Sequence, residues 1–255
     1  MAEGPADGPA VRRAAAAQVL VTDVDDPLLS EADRHHLVRV LRLGPDERFV
    51  VADGRGHWRV CRFTRRGPDG AFTTLGPVEF EPAAGPALSV AFTPVKAERP
   101  DWVVQKLTEL GVDRIVVLRS ARSVVRWEGR RAAAVLDRLR AVAAAAAGQS
   151  RRVWLPEVTG MVPLAELASS STGLHLAEPG GPALTRSATA IAVGPEGGWE
   201  PDELALGLPT VGLGPTVLRA ETAALVAGAL ACALRAGTVD GRPGATVVPA
   251  DRPGE

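Results

Sequence analysis

The sequence predicts an α/β protein: a parallel sheet covered by helices on both faces, preceded by a small β-rich domain. Three observations carry this. From Leu88 onward, short apolar runs alternate with stretches of helical spacing, which is the rhythm of a parallel sheet with helical crossovers. Residues 18–80 instead hold short apolar runs separated by turn residues, with one helix. Between them lies Glu81-Pro82-Ala83-Ala84-Gly85-Pro86, a linker composition.

Each element follows from its own residues. Residues 1–17 are rich in Ala, Gly and Pro and are expected to be loose at the start. Gln18–Val21, Arg48–Ala52 and Trp58–Phe63 read as strands, with turn chemistry at Asp53-Gly54 and Pro68-Asp69-Gly70. Ser30 is placed to cap a helix reaching Leu41. In the second part, Leu88–Phe92 and Arg114–Leu118 read as strands around a helix from Asp101 to Leu110, which Gly111 would close. A long alanine-rich helix is expected from Arg130 to Ala147. Short strands follow at Val153-Trp154-Leu155, Leu174–Ala177, Ala190–Val193 and Thr210–Leu213. Helices are expected from Pro201 and from Glu221 to Arg235. The Gly/Pro-rich stretch after Gly237 reads as a disordered tail. The expected division is therefore 1–83, 87–237 and 238–255.

Composition excludes several classes. The chain is 46% hydrophobic and 23% charged, as soluble domains are. No apolar run approaches the length of a membrane span, and the N-terminus lacks a charged-then-apolar leader pattern. Cys61 and Cys232 stand far apart without a CxxC or Cys/His cluster, so neither zinc nor a disulfide framework is expected, and a reducing cytoplasm fits. The near-zero net charge of -1 hides a segregation. Residues 34–66 carry nine arginines against three acids, whereas residues 153–255 carry five against eleven. Basic segments on a neutral chain suit a polyanion, and arginine binds phosphate bidentately.

In a parallel sheet, ligands bind beyond the carboxyl ends of the strands. Three loops leave such ends: Ala177–Gly181, Gly194–Trp199 and Leu213–Thr222. All are rich in Gly and Pro. Glycine lets backbone approach a ligand, and proline stiffens the loop. The string Gly194-Pro195-Glu196-Gly197-Gly198 reads either as a plain turn or as a ligand loop, with Glu196 either ordering that loop or accepting amides of the next helix. The dinucleotide fingerprint GxGxxG and the phosphate loop GxxxxGK[ST] are both missing, and the four histidines form no ligand pattern.

These residues also carry a resemblance. Gly194-Pro195-Glu196-Gly197-Gly198 with Leu213-Gly214-x-x-Val217-Leu218-Arg219-x-Glu221-Thr222-Ala223 resembles the paired C-terminal motifs of SPOUT methyltransferases, and specifically the RsmE family. Gln105-Lys106-x-x-Glu109-Leu110-Gly111-Val112, Gln149-Ser150-x-Arg152 and His35-His36-Leu37-x-Arg39-Val40-Leu41-Arg42 resemble further family segments in the same order. Two positions depart from the pattern: Gly148 stands for the usual Glu, and Thr216 for a frequent Arg.

The resemblance implies a PUA-like β-barrel that binds RNA, then a SPOUT domain with a deep trefoil knot, and a cytoplasmic homodimer without metal. It implies S-adenosylmethionine as cofactor, contacting Leu176, Ala177, Glu178, Gly194, Glu196, Gly197, Gly198, Leu213, Gly214, Leu218 and Ala220. The substrate it implies is a uridine of small-subunit (16S) ribosomal RNA, methylated at N3. Arg219 and Glu221 are then the catalytic candidates, the alternative being a structural pair across a turn. His35, Arg39 and Arg42, spaced for one helical face, are candidate RNA contacts, extended by Arg122, Arg126, Arg151 and Arg152. Trp102 and Trp127 read as core or interface residues. Another SPOUT enzyme acting on a ribose hydroxyl or another base, or an inactive RNA-binding homologue, remain the rivals.

Overall fold

In the computed structural model, which describes residues 8–65, 71–94 and 99–239, the chain forms two sheets. The first part comprises α1 (Gly8–Ala14), β1 (Ala17–Leu20), α2 (Glu31–His35), β2 (Arg48–Ala52), β3 (His57–Arg65) and β4 (Ala71–Phe80). Its sheet has the order β1-β2-β3-β4, parallel between β1 and β2 and antiparallel elsewhere. Phe49, Phe63 and Leu37 fill the core beneath it. Ser30 caps α2 as expected: its Oγ accepts from the Asp33 amide at 3.1 Å, and the Asp33 carboxylate accepts from the Ser30 amide at 3.2 Å.

Three expectations are corrected here, and two lie outside the described residues. Residues 8–14 are helical rather than loose, because the Arg12 guanidinium is buried against Glu81 and the Arg151 carbonyl. The helix from Ser30 does not run as one α-helix: His36–Val40 forms a wide π-turn, and Arg42 has a left-handed φ of 56°. Val153-Trp154-Leu155 is not a strand. Val153 is buried between the domains, and Trp154 makes only a single bridge to Arg55. The Pro68-Asp69-Gly70 turn lies outside the described residues, as does the expected tail from residue 240 onward.

The second part comprises β5 (Ser89–Phe92), α3 (Arg99–Leu110), β6 (Arg114–Arg119), α4 (Gly129–Gln149), β7 (Glu157–Pro163), α5 (Leu164–Ser170), β8 (Leu174–Ala177), β9 (Ala190–Val193), α6 (Pro201–Leu204), β10 (Thr210–Val211) and α7 (Ala220–Ala236). Its six strands are all parallel, in the order β10-β8-β9-β5-β6-β7. Strand alternation sends side chains to two buried faces. Val90, Phe92, Ile115, Val117, Ile191 and Val193 pack on the side of α3, α4 and α7. Ala91, Val116, Leu118, Ala190 and Ala192 pack on the side of α5 and Trp199. The apolar runs are continuous in sequence because both faces are covered. A Cβ on Gly228 would lie 2.6 Å from Leu107 Cδ2, so glycine is what lets α7 lie against α3.

The two parts are joined by polar contacts as well as apolar ones. Gln18 Nε2 donates to the Arg152 carbonyl at 2.5 Å, and Trp154 Nε1 to the Glu81 carbonyl at 2.8 Å. The Arg12 guanidinium donates to the Arg151 carbonyl across the joint and lies 5.9 Å from the Trp58 ring centroid on its own side, a cation–π contact. Gly148 takes part in this joint. A Cβ there would stand 3.1 Å from the Gln18 carbonyl oxygen, so the departure from Glu brings β1 close to α4.

Candidate active site

The carboxyl ends of β8, β9 and β10 lead into the three glycine-rich loops, which enclose a cavity of about 340 Å³. Ten of the eleven expected contacts line it: Ala177, Glu178, Gly194, Glu196, Gly197, Gly198, Leu213, Gly214, Leu218 and Ala220. Leu176 does not. It is 1% exposed and packs with Leu164, Leu174 and Ala192 on the opposite face, because neighbouring strand residues point opposite ways. Trp199, Thr216 and Val217 also line the cavity and are not among the contacts expected from the sequence. The only sequence signal for Trp199 is an aromatic directly after the glycine string.

The glycines have specific tasks. A Cβ on Gly194 would stand 2.9 Å from Trp199 Cε2, because the buried indole folds back beneath the loop. Gly198 has φ 73°, and its amide donates to the Pro195 carbonyl at 2.9 Å, closing a tight turn. The loops after β8 and β10 meet backbone to backbone: Gly212 N–H donates to the Pro182 carbonyl at 2.7 Å. Glu196 is exposed and does not serve the next helix start. Glu200 and Glu203 form the capping box of α6 instead.

Arg219 is the residue before α7, and its side chain makes no capping hydrogen bond. It is exposed, while Glu221 is half-buried in the first turn. Both border a wide cleft between the two parts of the molecule, together with Asp33, His36, Trp102 and Gln105. The Leu218–Thr222 segment is thus a partition. Leu218 and Ala220 face the smaller cavity, and Arg219, Glu221 and Thr222 face the cleft. Trp102 is 44% exposed on the cleft wall and is not a core residue.

The candidate RNA residues divide. His35, Arg39 and Arg42 are all exposed, but the π-turn and the left-handed Arg42 replace the regular helical face. Arg126 is exposed beside a hollow lined by Arg119 and Trp127. Trp127 also packs against the core of the large sheet. Arg122 donates to Glu200 and to the Gly197 carbonyl, and the Glu200 hydrogen bond raises its guanidinium pKa. Arg152 does not face solvent. It donates to the Thr108 and Val112 carbonyls, both at 2.8 Å, and lies 3.5 Å from Asp113. Burial pulls its pKa down, with Asp113 opposing. Arg151 likewise donates to the Ala15 and Ala16 carbonyls. Arg152 therefore clasps the end of α4 to the end of α3, while the Ser150 hydroxyl donates back to the Ala146 carbonyl at 2.7 Å. Among the described residues, no group of His, Cys, Asp and Glu is placed to hold a metal ion, and no helix is long and apolar enough to cross a membrane.

Residues 83–232 match the family model of the RNA methyltransferase domain, and residues 29–75 that of the RNA methyltransferase PUA domain. The ribosomal RNA small subunit methyltransferase E of Mycobacterium bovis is 36% identical over 210 residues, spanning 75% of this chain and 80% of that protein. The chain belongs to the RsmE family of RNA methyltransferases. The enzyme of that name from Synechocystis is 29% identical, covering 78% and 70%. Among solved structures, a probable rRNA-methyltransferase from Porphyromonas gingivalis superposes with a TM-score of 0.74 at 25% identity, covering 88% and 100%. A ribosomal RNA small subunit methyltransferase E from Neisseria gonorrhoeae bound to S-adenosyl methionine gives 0.70 at 25%, covering 84% and 95%. RsmE membership accounts for the parallel sheet, the small RNA-methyltransferase PUA domain and the glycine-lined cavity together.

Proposed function

We propose that this protein methylates N3 of a uridine in 16S ribosomal RNA, with S-adenosylmethionine as methyl donor. The observation that carries the reading is the Leu218–Thr222 partition, which borders a small glycine-lined cavity on one side and a wide cleft on the other. The cavity suits the cofactor. Its volume is that of a small-molecule site. Glycine backbone offers hydrogen bonds without side-chain bulk, Leu213 and Leu218 offer apolar wall, and Glu178 and Glu196 offer acceptors for hydroxyl or amino groups. The bound cofactor supplies an electrophilic methyl group on a sulfonium.

The residues of the chain supply the rest. Uracil N3 carries a proton and becomes a nucleophile only as that proton leaves. Arg219 stabilises the negative charge that spreads onto the uracil carbonyl oxygens. Glu221 takes the N3 proton or holds Arg219 in place. Orientation in the cleft contributes further, because a positioned base meets its methyl donor in an effectively unimolecular step.

His35, Arg39, Arg42 and Arg126 form the RNA-contacting surface in this reading, and Arg151 and Arg152 are left out of it. The reading also includes the division into 1–83 and 87–237, the trefoil knot, a cytoplasmic location and a homodimer. Sedimentation at twice the 26.5 kDa chain mass is the expected result for the dimer. The catalytic assignment is tested with Arg219→Ala. Calorimetry is expected to give normal cofactor binding, and turnover on unmethylated small subunits is expected to fall by about 10²–10³, the cost of removing one charge-stabilising donor. Near-normal turnover would remove Arg219 from catalysis.

A further inference from the structure

The turn after β6 grips the segment that follows the cofactor loop. Arg122 Nε donates to Glu200 Oε1 at 2.7 Å, and Arg122 Nη1 donates to the Gly197 carbonyl at 2.5 Å. The Ser120 hydroxyl donates to Glu203 Oε2 at 3.2 Å, and the Ala121 amide donates to Glu203 Oε1 at 3.1 Å. Glu200 and Glu203 are the capping box of α6, so the turn holds a helix start and a glycine loop at once. Gly197 also packs on the Arg122 stem, its Cβ position lying 3.5 Å from Arg122 Cδ.

An exposed ion pair by itself contributes little. Here one guanidinium joins a carboxylate to a loop carbonyl from two separate nitrogens held in one plane, a spacing that the single nitrogen of an ammonium does not reproduce. The loop it joins contains Gly194, Gly197 and Gly198, and glycine has the most backbone freedom to lose when a ligand orders it. A loop held in advance has less of that cost left at binding. Gly194, Gly197 and Gly198 all line the cavity.

We infer that Arg122 is a positioning residue: with Glu200 and Glu203 it holds the Gly194–Gly198 loop in the conformation that receives the cofactor, rather than contacting RNA phosphate. This rests on the cofactor site proposed above. It also replaces the expectation that the sequence alone raises for Arg122.

The test compares Arg122→Ala and Arg122→Lys with the unmodified protein, first without RNA. Both variants are expected to show faster amide hydrogen exchange across residues 196–203 in the free protein. In calorimetry, both are expected to bind S-adenosylmethionine about tenfold more weakly, the loss of one charge-assisted hydrogen bond. At saturating cofactor, kcat and the KM for small subunits should stay near normal. A phosphate contact gives a different pattern. Lysine would then substitute, because phosphate accepts a point charge, and Arg122→Ala would raise the KM for RNA without changing exchange or cofactor affinity. That result overturns the inference. Absence of cofactor binding by the unmodified protein would instead defeat the proposed function, and the exchange data would still decide whether Arg122 holds the loop.

Discussion

Gly194 shows how one missing side chain shapes the site. Trp199 occupies the space that a Cβ at 194 would need, at 2.9 and 3.0 Å from two ring carbons. A close-packed interior does not absorb such an overlap without moving. Gly194→Ala is therefore expected to displace the indole, lower stability by about 1–3 kcal/mol and weaken cofactor binding as well. Thermal denaturation with and without S-adenosylmethionine measures both, and a variant with unchanged melting and an unchanged cofactor shift would contradict this packing. The glycine string was legible as a special loop from its residues. Its reason was not, because a turn and a ligand loop use the same glycines until Trp199 is seen beneath them. Leu176 shows what a motif alone does not separate, the direction of a side chain. It sits one residue before true cavity residues, and only the alternation of β8 turns it away.

Elements were readable where period and punctuation agreed. The helix closed by Gly111 ends as expected: Gly111 has φ 105°, and the Val112 amide donates to the Leu107 carbonyl at 3.1 Å. β4 is not legible in the sequence, because a Gly76-Pro77 pair interrupts its apolar alternation. In the structure the pairing jumps from Trp58↔Glu79 to Val60↔Leu75, so those residues bulge out of the ladder. β7 was missed in favour of Val153-Trp154-Leu155, whose apolar character serves the joint between the sheets instead. Between β2 and β3, the Asp53 carboxylate accepts from the Arg55 and His57 amides at 2.7 and 3.1 Å and pairs with the His57 ring at 2.9 Å. Partial burial opposes its charge, but these bonds prevail and hold its pKa below the usual range. Such a group contributes stability above its unfolded pKa of about 3.9 and loses it as pH falls through the folded value. Asp53→Asn should therefore melt earlier than the unmodified protein at pH 7, with the gap closing in acid. An equal gap at both pH values would contradict the linkage.

At the scale of the whole molecule, charge and chain order distribute the work. The exposed His35, Arg39 and Arg42 stand on the small domain beside the cleft that His36 and Arg219 share. Arg151 and Arg152, equally available candidates in the sequence, instead fasten the domains to each other and α4 to α3. Counting basic residues could not separate these groups, because burial is a property of the assembled fold. If the outer group meets phosphate, Arg39→Ala should weaken RNA binding and reduce the salt slope of log K by about 1. An unchanged slope would place Arg39 outside the contact.

Nucleoside mass spectrometry on small ribosomal subunits from cells lacking this protein, incubated with the protein and S-adenosylmethionine, reads the cofactor, the base and the atom together. New N3-methyluridine is the expected product. A methylated ribose, or no new methyl group despite bound cofactor, would contradict the proposed function.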